Sequence, residues 1–257
     1  MELQFLGTGT SHGIPVLACT CPVCRSSDLR DQRMRSSFLI RSSGGTTLII
    51  DTGPEFRLQG VRAGLNRIDG ILLTHAHADH IHGLDDVRPL SCKKEIPVFG
   101  NEGTITEMKE RFAYIFKETQ IGGGKPRIRP TVAPPSFDMD DVRVTALPVK
   151  HGDLDILGWR IDQGGHGVAY ITDVSLIPEE TKALLGNLDL LVLGALRKRP
   201  HPTHFSFDQA AQVVAELKPQ RAYVTHLCHD HSHREMEALF DTSKNLGPAW
   251  DGLIIHL

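Results

Sequence analysis

An apolar run, ILL (71–73), opens directly into THAHADHIHG (74–83), so that His75, His77, Asp79 and His80 stand within six residues. The run reads as a buried strand and the histidines as the place where the chain leaves a sheet. Alternate residues there can point the same way, and a helix is expected to begin near Asp79. Three imidazoles and a carboxylate in this spacing suit zinc, manganese or iron. Such a chain has to fold so that a strand end opens onto a site with room for a cation.

Three further residues of the same chemical type occupy the same kind of place. His151 follows TALPVK, Asp173 ends GVAYITD and His226 ends RAYVTH. Strand ends on one edge of a layered α/β fold converge on a common site. Seven ligands are enough for two ions with open positions, and Asp173, able to bind through both oxygens, is the natural bridge. A second grouping, CTCPVC (19–24), puts Cys19, Cys21 and Cys24 close together. Three thiols resemble metal ligands, but a closed tetrahedral site needs a fourth.

Between these points the chain alternates short apolar runs with helical patterns. Strands are expected at 3–7, 37–42, 46–51, 70–75 and 96–100, then at 142–149, 157–162, 167–173, 189–195, 221–226 and 252–257. Helical spacing marks 80–90, 102–116, 206–218 and 233–243, with Ser206 as an N-cap. The Gly- and Pro-rich stretch 121–136 reads as a long loop. No linker or low-complexity tract divides the 257 residues, so one α/β domain spanning 1–257 is expected, its sheets covered by helices.

The motif THAHADH, followed in order by His151, Asp173 and His226, resembles the signature of the metallo-β-lactamase superfamily, and the resemblance runs from LGTGTSHGIP to WDGLIIHL. It implies a four-layer αββα sandwich with a binuclear site at one edge. By position His75, His77 and His151 would hold one ion and Asp79, His80 and His226 the other, with Asp173 between them and Asp51 in support.

Fold does not choose the reaction. Two divalent ions make hydroxide available near neutral pH and neutralise substrate oxygens, which suits in-line attack on phosphorus. The leaving alkoxide then needs a proton donor, and RKRPHPTHFSF (197–207) offers one. His204 stands where the phosphodiesterase branch, including tRNA 3′-processing enzymes, places a general acid. Asp79 and His204 are therefore the catalytic candidates. Arg197, Lys198 and Arg199 share the loop, and sequence alone does not say whether any of them binds phosphate.

Within that branch the pattern is similar to the phosphoribosyl cyclic phosphodiesterase family of the carbon–phosphorus lyase pathway. That family combines a GTG start, a Cys-x-Cys-x-x-Cys insertion, the binuclear motif and a His-x-x-His near the end. The resemblance implies cleavage of small cyclic phosphates or nucleotide diesters, manganese or zinc at the active site, a separate structural zinc and a dimer. His229, three residues after His226, is the expected fourth partner of the cysteines. Alternatives are a tRNA 3′-processing endonuclease, a non-catalytic or carrier protein of the quinone-cofactor-biosynthesis type, and a thioester or lactone hydrolase. Against the endonuclease stands the lack of a long Gly-, Pro- and Lys-rich arm. The carrier branch departs from the seven-ligand motif, and THFS disfavours thioester chemistry.

Composition closes off other classes. A net charge of −3 gives no broad basic field, so a small phosphodiester rather than a stable nucleic-acid complex is the expected partner. Five cysteines without disulfide spacing, no signal-like start and no run near the roughly 18 apolar residues of a membrane span point to the cytoplasm. GTGTSHG has glycines at 7, 9 and 13, one residue off a dinucleotide loop, and reads instead as a turn passing close to the metal site. His201 has no evident partner, and His231 and His233 are expected at the surface. Cys92 and Cys228 read as ordinary thiols.

Overall fold

Alternation along single strands decides the layering. In TLII, Leu48 and Ile50 point to one side and Ile49 to the other. In DLLVLG, Leu190 and Val192 oppose Leu191 and Leu193 in the same way. The computed structural model describes residues 1–117, 124–240 and 245–257. Six strands lie in the first half: β1 (Glu2–Gly7), β2 (Ser37–Arg41), β3 (Thr47–Ile50), β4 (Gly70–Leu72), β5 (Ile96–Gly100) and β6 (Ile128–Val132). The remainder are β7 (Ser136–Met139), β8 (Val142–His151), β9 (Leu154–Gln163), β10 (His166–Ile171), β11 (Leu190–Gly194), β12 (Arg221–Thr225), β13 (Leu246–Pro248) and β14 (Ile254–His256). They form two seven-stranded sheets, ordered β14-β1-β2-β3-β4-β5-β6 and β13-β12-β11-β10-β9-β8-β7.

The inner faces meet in one core, where Phe5, Phe38, Leu48 and Ile50 pack with Trp159, Tyr170 and Val192. Burying each such side chain stabilises the fold by about 1.5–3 kcal/mol. The outer faces carry helices. Over the first sheet, Ile49 and Val98 lie under Phe56 of α1 (Phe56–Arg62), Ile81 of α2 (Ala78–Ile81), and Ile105 and Met108 of α3 (Glu102–Arg111). A short α4 (Ala113–Phe116) follows, and α5 (Glu179–Lys182) lies between β10 and β11. Over the second sheet, α6 (Phe207–Leu217) sets Phe207, Ala210 and Val214 on Leu191 and Leu193, beside Met236 of α7 (His233–Leu239). The result is the expected helix–sheet–sheet–helix sandwich. α6 begins at a full capping box, Ser206 with Gln209.

Four expectations change. Residues 121–123 lie outside the described residues, but the rest of the supposed loop contains β6 and the first residue of β7. Pro130 is tolerated in β6 because that strand is an edge, with pairing on one side only. The stretch 80–90 is not one helix: α2 is a single turn, followed by a 3₁₀ helix over Leu84–Ser91 that includes Pro89. Helical structure at 102–116 breaks at Phe112. α7 ends at Leu239, and 241–243, also expected to be helical, lie outside the described residues.

What positions the site is strand direction. β3, β4 and β5 run parallel, as do β10, β11 and β12, so their C-terminal ends share an edge within each sheet. The two edges are stitched together where Leu157 N–H donates to Thr74 O at 3.0 Å. The chain turns just after the GTG segment, at Ser11 and His12, and Thr10 Oγ1 comes within 3.1 Å of His226 Nε2, the close passage that was expected. A Cβ on Gly7 would lie 2.0 Å from Arg35 O, and one on Gly9 2.9 Å from Arg33 O, so these glycines let the chain press against residues 33–35.

Candidate metal centre

All seven predicted residues arrive at this edge. His75 and His77 follow β4, Asp79 and His80 sit in α2, His151 ends β8, Asp173 follows β10 and His226 follows β12. Ligand atoms of His75, His77 and His151 lie within 4.8 Å of one another, as do those of Asp79, His80, Asp173 and His226. Asp173 faces both groups. Its Oδ1 is 2.9 Å from His226 Nδ1 and 3.4 Å from His80 Nε2, while Oδ2 is turned to His75 Nε2 at 3.9 Å.

Neighbouring groups fix which ring nitrogen is free. His80 Nδ1 donates to Asp51 Oδ2 at 2.7 Å, and His151 Nδ1 donates to Thr203 O at 2.8 Å. Thr74 Oγ1 donates to Asp51 Oδ2 at 2.7 Å, so it can only accept from His75 Nδ1, 3.0 Å away. Each ring thus turns its Nε2 lone pair inward. That leaves His80 Nε2 buried without a hydrogen-bond partner, between Asp79 Oδ2 at 3.2 Å and Asp173 Oδ1 at 3.4 Å.

Lone pairs facing carboxylate oxygens repel unless positive charge stands between them, supplied by a bound cation or, without one, by a second proton on His80. Burial pulls His80 down, but Asp173, Asp79 and Asp51 together outweigh it and push it well above the ordinary histidine value. Burial raises Asp173, yet His226 and His80 hold it well below the usual carboxylate range. Asp79 is lowered in the same sense, His80 overcoming its burial. His75, burial dominating, is pushed well down and stays neutral, as a ligand must be. The donor set fits divalent ions: bonds of about 2.0–2.1 Å at tetrahedral angles need donor separations near 3.4 Å.

The loop after β11 brings His204 to this edge. Its ring centroid is 4.7 Å from that of His151 and 5.0 Å from that of His226, stacked on the latter at 18°. Burial, then His226, pushes His204 down to about 3. His201, which sequence left without a partner, lies 5.0 Å from the His204 ring. The His-x-x-His spacing in HPTH was the available signal. The three cations of the loop separate. Arg199 pairs with Asp230 at 3.1 Å, Lys198 lines a cavity with Phe207 and Asp208, and the charge of Arg197 adds to burial in lowering His201. On the other side, His75, Asn101, Thr104, Glu107 and Asp155 line a cavity of about 320 Å³.

The cysteines form a separate group. Sγ of Cys19, Cys21 and Cys24 lie 3.4, 3.4 and 3.3 Å from His229 Nδ1. The backbone N–H of Cys24 donates to Cys21 Sγ and holds that thiol down at about 6, close to the thiolate a metal requires. Four donors at these separations fit a tetrahedral zinc and leave no open position. His233, expected at the surface, is instead fully buried, its Nδ1 accepting from Arg33 Nη2 at 3.0 Å.

Comparison with known proteins agrees with this geometry. The family model described as the beta-lactamase superfamily domain matches residues 46–227. A crystal structure of a diphosphatase from the PhnP family is 37% identical, with a TM-score of 0.90, covering 100% of this chain and 97% of the other. A protein of Porphyromonas gingivalis named octanoyltransferase is 34% identical over 256 residues, 98% of this chain, but this chain spans only 51% of that protein's length. A ribonuclease Z of a Mycobacterium species is 27% identical over 268 residues, covering 96% of this chain and 81% of that protein. Shared sequence over most of the sandwich, and the same fold throughout its length, place this chain in the metallo-β-lactamase superfamily of hydrolases, among its PhnP-type members.

Proposed function

We propose that the protein is a metal-dependent phosphodiesterase acting on a small phosphodiester, with a cyclic phosphate of the phosphoribosyl 1,2-cyclic type as the preferred substrate class. One observation carries this reading: His204 stands against both His151 and His226, at the junction of the two ligand groups. The 37%-identical relative is a diphosphatase, which supports chemistry at phosphorus.

His75, His77 and His151 would hold one ion and Asp79, His80 and His226 the other, with Asp173 presenting one oxygen to each group. Manganese or zinc bound there supplies hydroxide near neutral pH and neutralises phosphate oxygens. The chain's own part is orientation and proton delivery. Asp51, Thr74 and Thr203 hold the rings so that their free nitrogens converge. His204 is half-buried and pulled down to about 3; a phosphate anion beside the ring would raise its proton affinity, so that it could take a proton from solvent and pass it to the leaving oxygen. Cys19, Cys21, Cys24 and His229 would hold a structural zinc. The substrate is small, and neither a stable nucleic-acid complex nor a membrane is required; no helix among the described residues is long and apolar enough to cross one.

The deciding experiment loads the protein with manganese or zinc and offers bis-p-nitrophenyl phosphate, ribose cyclic phosphates, 2′,3′-cyclic nucleotides, precursor tRNA and a thioester. Turnover of cyclic phosphates above the others, abolished in Asp79→Ala and His80→Ala, is the expected outcome. Preference for precursor tRNA or the thioester would overturn the substrate class, and fully active variants would overturn the site.

A further inference from the structure

The turn HPTH (201–204) fixes a ring beside the centre that the proposed chemistry leaves unused. His201 Nδ1 accepts from Thr203 N–H at 3.3 Å, and Thr203 Oγ1 lies 3.2 Å from the same nitrogen. A neutral ring that accepts at Nδ1 carries its proton on Nε2 and offers an N–H donor there. Thr203 O meanwhile accepts from His151 Nδ1 at 2.8 Å. One residue thus holds both His201 and a proposed ligand, which sets the donor in a fixed register to the centre. His201 is half-buried and packs on His204 at 5.0 Å between ring centroids, while His204 packs on His151 and His226. The donor is therefore one ring further from the ligands than His204.

Arg197 enters from the start of the same loop, its backbone pinned where Phe207 N–H donates to Arg197 O at 3.0 Å. Unlike Arg199, it makes no ion pair among the described residues, and its Nε is buried without a hydrogen-bond partner. Its charge is the strongest acting on His201, and together with burial it keeps that ring neutral. A half-buried guanidinium near an N–H donor, with no carboxylate to answer it, is a site for an anion.

From this we infer that Arg197 and His201 form an anion subsite beside His204, and that it holds a second phosphate of the substrate, a monoester that is not attacked. The guanidinium fork and the Nε2–H supply donors for phosphate oxygens. The scissile phosphorus has to lie against the ions and His204, so a group bound at His201 sits beyond it. The preferred substrate is then a cyclic phosphodiester that carries a phosphate monoester elsewhere on the sugar. The inference rests on the proposed phosphodiesterase reading and adds to it what selects among cyclic phosphates.

The test compares ribose 1,2-cyclic phosphate with and without a 5-phosphate on the manganese-loaded protein. Wild type should prefer the phosphorylated compound through KM. Arg197→Gln removes the charge, and Arg197→Lys keeps it without the fork. His201→Asn keeps an acceptor for Thr203 N–H and removes the Nε2 donor. In Arg197→Gln and His201→Asn the preference, as a ratio of kcat/KM values, should fall about 10–100-fold. KM for the phosphorylated compound should carry the change. Arg197→Lys should retain part of the preference. Because the preference is a ratio within each variant, partial unfolding cancels from it. A wild type without preference, or variants that lose both compounds in equal proportion, would overturn the subsite while leaving the reaction standing. A wild type that hydrolyses neither compound would overturn the proposed reaction, and the subsite with it.

Discussion

His80 and Asp51 meet at 2.7 Å with neither side chain exposed to solvent. Asp51 also accepts from Thr74 N–H at 2.8 Å and Thr74 Oγ1 at 2.7 Å, so one carboxylate orients two neighbours of the centre. Asp51→Asn keeps the shape but sets an amide against His80 Nδ1–H. It should fold, bind divalent ions about 10–100-fold more weakly and lose activity in proportion. Asp51→Ala strands three donors and should cost at least about 3 kcal/mol of stability as well. Metal titration and denaturant unfolding of both variants separate the two effects.

His204 is placed to serve the leaving oxygen, so its value depends on how much help that oxygen needs. His204→Ala should slow hydrolysis of alkyl phosphodiesters by about 10²–10⁴-fold and of p-nitrophenyl esters far less. Rates measured against leaving-group pKa should steepen in the variant. Parallel losses across the series would mean that the ring binds phosphate and does not move a proton.

The cysteine group predicts a loss of stability without a change in chemistry. Cys24→Ser or His229→Ala should release one equivalent of zinc and lower the melting temperature by at least about 5 °C. The leaving-group dependence of the residual activity should match that of wild type. A variant that kept its zinc would place the fourth donor elsewhere.

His233 gives the fold a pH dependence of its own. Burial, followed by the Arg33 and Arg30 charges, pushes it down to about 4, with Glu237 and Asp28 opposing. A histidine depressed in the folded state contributes stability above about 6.5, its unfolded value, and that stability drains as pH falls toward about 4. The contribution reaches at most roughly 3 kcal/mol. His233→Gln keeps an acceptor for Arg33 and should flatten unfolding free energy against pH across this window.

Much of this was readable in the chain. Short apolar runs marked the strands, and metal-type residues just past those runs marked the edge where the sheets open. Asp51, Asp173 and His226 could be placed because a strand end is a local property. What eluded sequence was non-local or conformational. β6 hid in a Gly- and Pro-rich stretch because an edge strand tolerates the missing donor of Pro130. His233 looked like one of several surface histidines because its burial depends on Arg33, 200 positions away. Lys198 and Arg199 were separable from Arg197 only once their neighbours were in view.

Asp51, Asp173 and His226 share one more property: their φ angles are 59°, 50° and 58°. Each turns the chain out of its strand in the left-handed region, where Asp, Asn and His are the side chains most readily accommodated after glycine. Two independent filters therefore act on the same three positions, one for holding the centre together, as ligand or as support, and one for backbone handedness. An alanine at any of them deletes the polar group and adds a conformational penalty at once, whereas asparagine at Asp51 or Asp173 isolates the loss of charge. A library randomised there should keep Asp, Asn, His and Gly in its folded fraction, and only part of that set in its active fraction. Foldability and function at this edge thus narrow the choice of residue together.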